Sequence, residues 1–295
     1  MVAVSPTPPV IAEETGIAVS SDKTRLFYRA WAPEGASATA PIALVLHGIG
    51  LHSRPYRVVA DALVPHGIRV VAMDLRGHGR SGGTRGRGPS PAAVVADLDA
   101  ITAKLRSAYG VDVVHLVGES MGTLVALHYA VARPEVVASL VLIGSAIRIA
   151  RAQVLRAENL KLLPALVFSR DRPVVNLIGT RLDEACSDEA FKRERREDPL
   201  ALRKASVNYL LGLRRLRAGW RRKARAVHTP TLLIHGQRDA VVDWRGADAL
   251  RRVLASEAKQ LIYFESARHT LFWDPATPRV FQMIQTWFDA RSGHG

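Results

Sequence analysis

Five consecutive residues, Gly118-Glu119-Ser120-Met121-Gly122, set a serine between two glycines in the pattern G-x-S-x-G. The apolar run Val113–Val117 before them reads as a strand, and Met121–Ala132 after them reads as a helix. Ser120 therefore falls on a strand-to-helix turn, where its Oγ is exposed and the flanking glycines let strand and helix approach. Serine is a weak nucleophile at its free pKa; it needs a base, and the base needs an orienting acid. Two later strand ends supply both. The run Thr231–Ile234 leads into His235-Gly236-Gln237-Arg238-Asp239, and Gln260–Phe264 leads into Glu265-Ser266-Ala267-Arg268-His269. Sites in open α/β sheets gather at the carboxyl ends of the strands, so both loops can meet Ser120. The chemistry implied is acyl transfer to water, with Ser120 as nucleophile, His269 as base and Asp239 as orienter.

Other residues compete for these roles. Asp243 follows Asp239 by four residues, but it opens a helical pattern and reads as an N-cap. Of the ten histidines, His115 sits within a strand, His128 within a helix, His66 and His228 in connections and His294 in a tail. His269 is the histidine after Asp239 that falls beyond a strand end. Glu119, beside the serine, reads as structural. An oxyanion also needs donors. The N–H of Met121, at a helix start, is one; the N–H of Ile49, in Leu46-His47-Gly48-Ile49-Gly50, is the other, with His47 serving loop geometry. No metal or cofactor is required by this chemistry.

The elements that must position these groups alternate strand with helix. The apolar runs Ile42–Leu46, Ile68–Met73 and Ser139–Ile143 join the three strands above, and helical patterns cover Pro55–Val64, Pro91–Ala108, Arg245–Leu254 and Pro278–Ala290. Thr15–Val19 and Thr24–Trp31 read as a hairpin closing around Ser21-Asp22. The expectation is an α/β fold with a mostly parallel central sheet flanked by helices. Residues 146–228 break the alternation with helical character and no strand, and carry 20 Lys and Arg against 9 Asp and Glu. They read as a helical cap inserted into a core formed by residues 1–145 and 229–295.

A chain of 295 residues with 48% apolar residues buries a large core, and composition excludes a disordered or collagen-like chain. A single cysteine, Cys186, excludes a disulfide scaffold. Met1–Gly16 lacks the basic and apolar regions of a signal peptide, and apolar runs fall short of the ~18 residues that span a bilayer; the chain reads as cytoplasmic. Net charge is +14, most of it in the cap. Arg214, Arg217, Arg221 and Arg225 recur at helical spacing, with Leu211, Leu213, Leu216 and Trp220 between them. Two readings of that run stand together: a solvated face, and a helix resting peripherally on anionic membrane. No nucleic-acid module accompanies the charge, so nucleic acid is not an expected partner. Oligomeric state is not set by any of these features.

With these residues in view, the chain resembles the α/β-hydrolase superfamily, and within it the monoacylglycerol lipase and lysophospholipase group. The resemblance rests on His47-Gly48-Ile49-Gly50 with His52-Ser53 and Tyr56, on Asp74-Leu75-Arg76-Gly77-His78-Gly79-Arg80-Ser81, on the Ser120 pentapeptide, on Gly236-Gln237-Arg238-Asp239 and on His269. Within the cap, Ser187-Asp188 and Glu197-Asp198-Pro199-Leu200 also match. It implies hydrolysis of a single-chain acyl ester through Ser120, Asp239 and His269, with Ile49 and Met121 as oxyanion donors and a cap lining an acyl tunnel. Leu51, where the group has a polar residue, and Arg54-Pro55 depart from the pattern and leave the head group open. A small-molecule carboxylesterase, a C–C bond hydrolase and a non-catalytic binding member of the fold are the alternatives.

Overall fold

The computed structural model describes residues 11–37, 40–154, 169–178 and 180–292. Its centre is a sheet of eight strands, β1 (Ile11–Val19), β2 (Arg25–Pro33), β3 (Ile42–Leu46), β4 (Arg69–Met73), β5 (Val114–Glu119), β6 (Val137–Ile143), β9 (Thr231–Gly236) and β10 (Lys259–Phe264). They lie in the order β1-β2-β4-β3-β5-β6-β9-β10. The β1–β2 hairpin and its pairing with β4 are antiparallel, and all later pairings in the sheet are parallel. The expected fold class holds.

Strands β3, β4, β5 and β9 are buried along their whole length, which is why they read as continuous apolar runs. Alternate residues still serve opposite layers. Ile42, Leu44 and Leu46 pack with Leu98 of α2 (Pro91–Tyr109) and Leu124 of α3 (Met121–Ala132). Ala43 and Val45 pack on the other side with Val59 of α1 (Arg57–Leu63) and with Phe288 of the C-terminal helix Thr277–Ser292.

The chain passes from β3 outward to β4 and then crosses back to β5. The switch point thus lies between β3 and β5, where such sheets open a ligand crevice at the carboxyl ends. The loops leaving those two ends carry Ile49 and Ser120.

Two expectations for residues 146–228 are corrected. The segment does contain strands: β7 (Pro173–Asn176) pairs antiparallel with β8 (Lys204–Ser206). Four and three residues are too few to print an alternating pattern. The basic run is also not one helix. Helix Val207–Arg217 ends, Gly219 takes φ +64°, and a second helix covers Trp220–Ala224. Their apolar residues turn inward: Leu216 is 1% exposed and Leu213 and Trp220 pack on the core, while Arg214, Arg215, Arg221 and Arg222 are exposed. His128 Nε2 lies 2.9 Å from the Leu216 carbonyl, which sets this end of the helix two turns along α3 from Ser120. Parts of the expected core and cap, residues 1–10, 155–168 and 293–295 among them, lie outside the described residues.

Candidate active site

Strand β5 runs straight into Glu119, and α3 starts at Met121, so Ser120 alone makes the turn. It does so at φ +50°, a conformation that costs a non-glycine residue ~1–3 kcal/mol and that recurs at functional sites. The glycines on either side are dictated by contact. A Cβ on Gly122 would lie 2.0 Å from the Leu46 carbonyl oxygen, and one on Gly118 would lie 2.7 Å from the Gly122 carbonyl oxygen. No side chain fits where α3 crosses β3 and β5.

Three sequence-predicted residues come together here. Ser120 Oγ is 2.9 Å from His269 Nε2, and His269 Nδ1 is 2.6 Å from Asp239 Oδ2. Asp239 is held on its other oxygen by the Val241 and Val242 N–H groups, each 2.8 Å away. A second imidazole, His235, donates to Asp239 Oδ2 from Nε2 at 3.1 Å. The loop bearing His269 is braced from the far side: the N–H groups of His269 and Thr270 both donate to the Ala185 carbonyl at 3.1 Å. Asp243 is elsewhere. Its carboxylate accepts from Arg148 Nε at 2.9 Å and from the Arg245 N–H, one residue before the N-cap position of helix Arg245–Val253.

Electrostatics follow from burial and this chain of contacts. Burial alone would raise the Asp239 pKa, but the adjacent His269 and the hydrogen bonds from His235 and His269 hold it well below the usual carboxylate range. Burial disfavours the imidazolium of His269; the charge and hydrogen bond of Asp239 outweigh it, with a smaller contribution from Glu119, and raise its pKa. A basic imidazole in contact with a serine hydroxyl is the arrangement that proton abstraction requires.

The β3–β5 register, Leu46 opposite Gly118, brings the loop after β3 against the serine; a Cβ on Gly48 would sit 3.6 Å from Ser120 Cβ. His47 serves that loop as expected: Nδ1 donates to the Gly48 carbonyl at 2.8 Å, and Nε2 accepts the Leu75 N–H at 3.0 Å. The Ile49 and Met121 N–H groups have no hydrogen-bond acceptor among the described residues.

Several supporting contacts are absent from the sequence reading. Tyr56 is fully buried; its hydroxyl accepts the Gly48 N–H at 2.9 Å and donates to Glu119. Glu119 is thus structural, as its position suggested, yet it is an ionisable group with 1% exposure, and burial raises its pKa to about 7. His52 Nε2 meets Asp198 Oδ2 at 2.6 Å, and the Leu202 N–H donates to the Gly50 carbonyl at 3.0 Å, so two residues near 200 clasp the loop after β3. The only signal for these links in the sequence was that His52, Tyr56 and Asp198 all fall in segments carrying the family resemblance.

A mostly parallel, helix-flanked sheet with a serine on a strand-to-helix elbow and an Asp and a His beyond the last two strands defines an α/β-hydrolase. The family model described as serine aminopeptidase, S33 matches residues 38–276, and the chain belongs to that family. Human monoglyceride lipase is 30% identical over 278 residues, covering 93% of this chain and 90% of that one. A monoacylglycerol lipase from Mycolicibacterium smegmatis is 27% identical over 285 residues, covering 89% and 92%. Among solved structures, a soluble variant of monoglyceride lipase from Saccharomyces cerevisiae superposes with a TM-score of 0.80 at 22% identity, covering 98% of this chain and 97% of that chain. This protein is a carboxylic ester hydrolase resembling the monoacylglycerol lipases. No helix among the described residues is long and apolar enough to cross a membrane.

Proposed function

We propose that this protein hydrolyses monoacylglycerol or a similar single-chain acyl ester through an acyl-enzyme on Ser120. The observation that carries this is the hydrogen-bonded line Ser120–His269–Asp239, 2.9 Å and 2.6 Å long. His269 Nε2 takes the hydroxyl proton as Ser120 Oγ attacks the ester carbonyl, and Asp239 keeps the other ring proton on Nδ1. The carbonyl oxygen turns its developing charge to the Ile49 and Met121 N–H groups, the second at the positive end of α3. Collapse expels the alcohol with the proton from His269. Water then enters, gives its proton to His269 and attacks the acyl carbon, and Ser120 leaves with that proton as the fatty acid departs.

We assign residues 146–228 to a cap over a core of 1–145 and 229–295. Support comes from the excursion of the chain between β6 and β9 and from the clasp of Asp198 and Leu202 on the loop after β3. The substrate class draws on what the monoglyceride lipase relatives are named for. A hydrolysis panel of p-nitrophenyl esters from acetyl to palmitoyl, run beside a monoacylglycerol, tests it. Turnover of the monoacylglycerol with a preference for medium or long chains is the expected result; activity confined to short esters would leave a small-molecule carboxylesterase.

A further inference from the structure

Arg195 lies in helix Glu189–Glu197 and is only 5% exposed. A buried guanidinium normally sits in a carboxylate or carbonyl fork, because an uncompensated buried cation is costly. The equally buried Lys192 in the same helix obeys this rule: its ammonium pairs with Glu189. Arg195 has no hydrogen-bond or ion-pair partner among the described residues, and its buried Nη1 is unsatisfied. Asp198, the C-cap of the same helix, spends its carboxylate oxygens on His52 Nε2 and the Leu200 N–H, and reaches Arg195 only through its charge, which opposes the cost of burying the guanidinium. The charge nonetheless persists: burial lowers the pKa to about 10, still well above neutrality.

The position of this cation bears on the reaction. Its Nη2 lies against Gly50, 2.5 Å from where a Cβ on that residue would stand, and Gly50 directly follows the Ile49 oxyanion donor. The Leu202 carbonyl and Leu177 border the same spot, and the exposed Arg203 adds a second positive charge nearby. The same loop carries Leu51 in place of a polar residue. An alkyl chain pressed against a guanidinium whose N–H groups have no acceptor would leave them unsatisfied, so the acyl end does not belong there. The part of the ester able to satisfy those N–H groups is its polar alcohol end.

We propose that Arg195 binds an anionic group, phosphate or carboxylate, on the alcohol portion of the ester, so that the enzyme prefers charged monoacyl esters to neutral ones. This rests on Ser120-dependent ester hydrolysis and deepens it by naming the head-group class. The guanidinium donates to the anion's oxygens in a charge-assisted fork, which satisfies the group the protein leaves open. Arg195 takes no part in bond making.

The test compares kcat/KM for one acyl chain carried on glycerol, on glycerol 3-phosphate and on glycolate, using the wild type, Arg195→Met and Arg195→Lys. The expected result is that the ratio of anionic to neutral kcat/KM falls about 10- to 100-fold in Arg195→Met and partly recovers in Arg195→Lys. Whichever of the phosphate and carboxylate esters shows the larger fall is the preferred anion. Arg195→Met, of similar volume, should melt no lower than the wild type, because replacing an unpaired buried cation by an apolar side chain relieves desolvation. An unchanged ratio, or an equal loss on all three esters with a lowered melting temperature, would overturn the proposal. A thermal shift with glycerol 3-phosphate, present in the wild type and lost in Arg195→Met, reads the site without turnover. A shift with no esterase activity would therefore keep the anion site and discard ester hydrolysis, while no shift and no preference would discard the site alone.

Discussion

Asp239→Asn is the sharpest perturbation of the line of groups ending at Ser120. Asp239 accepts four hydrogen bonds, two at Oδ1 from the Val241 and Val242 N–H groups and two at Oδ2 from His235 and His269. Asparagine has one accepting oxygen and one NH2. If the oxygen keeps the two backbone N–H groups, the NH2 faces His269 and forces Nδ1 to accept, moving the ring proton to Nε2, where it points at Ser120. If the amide turns over, the NH2 meets two backbone donors. The first arrangement is cheaper and leaves the imidazole in the tautomer that cannot take a proton. The expected loss is ~10⁴-fold in kcat, or ~5.5 kcal/mol of transition-state stabilisation, with KM little changed and the fold retained. Steady-state hydrolysis of a monoacylglycerol at saturating substrate measures it, with circular dichroism to check folding. A folded Asp239→Asn enzyme within tenfold of the wild type would refute the assignment of the acid.

Further expectations concern the groups around that line. Tyr56→Phe removes a hydroxyl that serves both the Gly48 N–H and Glu119 in a fully buried site, so two groups lose their partner. At ~1–3 kcal/mol for each orphaned group, urea denaturation should report a loss of ~2–6 kcal/mol, and a loss below ~1 kcal/mol would contradict the network. Glu119→Gln removes a negative charge that helps raise the His269 pKa. His269 works as a base in its neutral form, so the acidic limb of the kcat/KM profile should move to lower pH in this variant; an upward move speaks against the coupling. We propose that the exposed arginines from Arg214 to Arg222 form a solvated face, since Leu216 is buried and Leu213 and Trp220 pack against the core rather than standing out from it. Any flotation with anionic vesicles should then vanish at high salt, and salt-resistant binding would restore the membrane-resting helix.

Local pattern carried the elements that position the chemistry. β3 and α3 begin and end where their apolar runs do, because a strand covered on both faces and a helix entering from an obligatory turn leave little freedom at their ends. Ser120, Asp239 and His269, which the structure brings into one hydrogen-bonded line, were legible because each falls just past a strand, where an α/β sheet collects its site. What stayed hidden depends on partners far along the chain. Tyr56 and Glu119 are 63 residues apart and His52 and Asp198 are 146 apart, and no periodicity records such a pairing. That the Arg195 Nη1 has no hydrogen-bond partner is equally invisible in a segment crowded with charges of both signs. The basic run misled for a related reason: its spacing continues in helical step across Gly219, while the backbone does not.

The most direct test of the central claim is the turnover of a monoacylglycerol by wild type and by Ser120→Ala, prepared side by side and matched by thermal melting. The account predicts measurable hydrolysis by the wild type and a loss of at least ~10⁴-fold on removing the hydroxyl, with the fold intact. A folded Ser120→Ala protein that still hydrolyses the ester within tenfold of the wild type would contradict it.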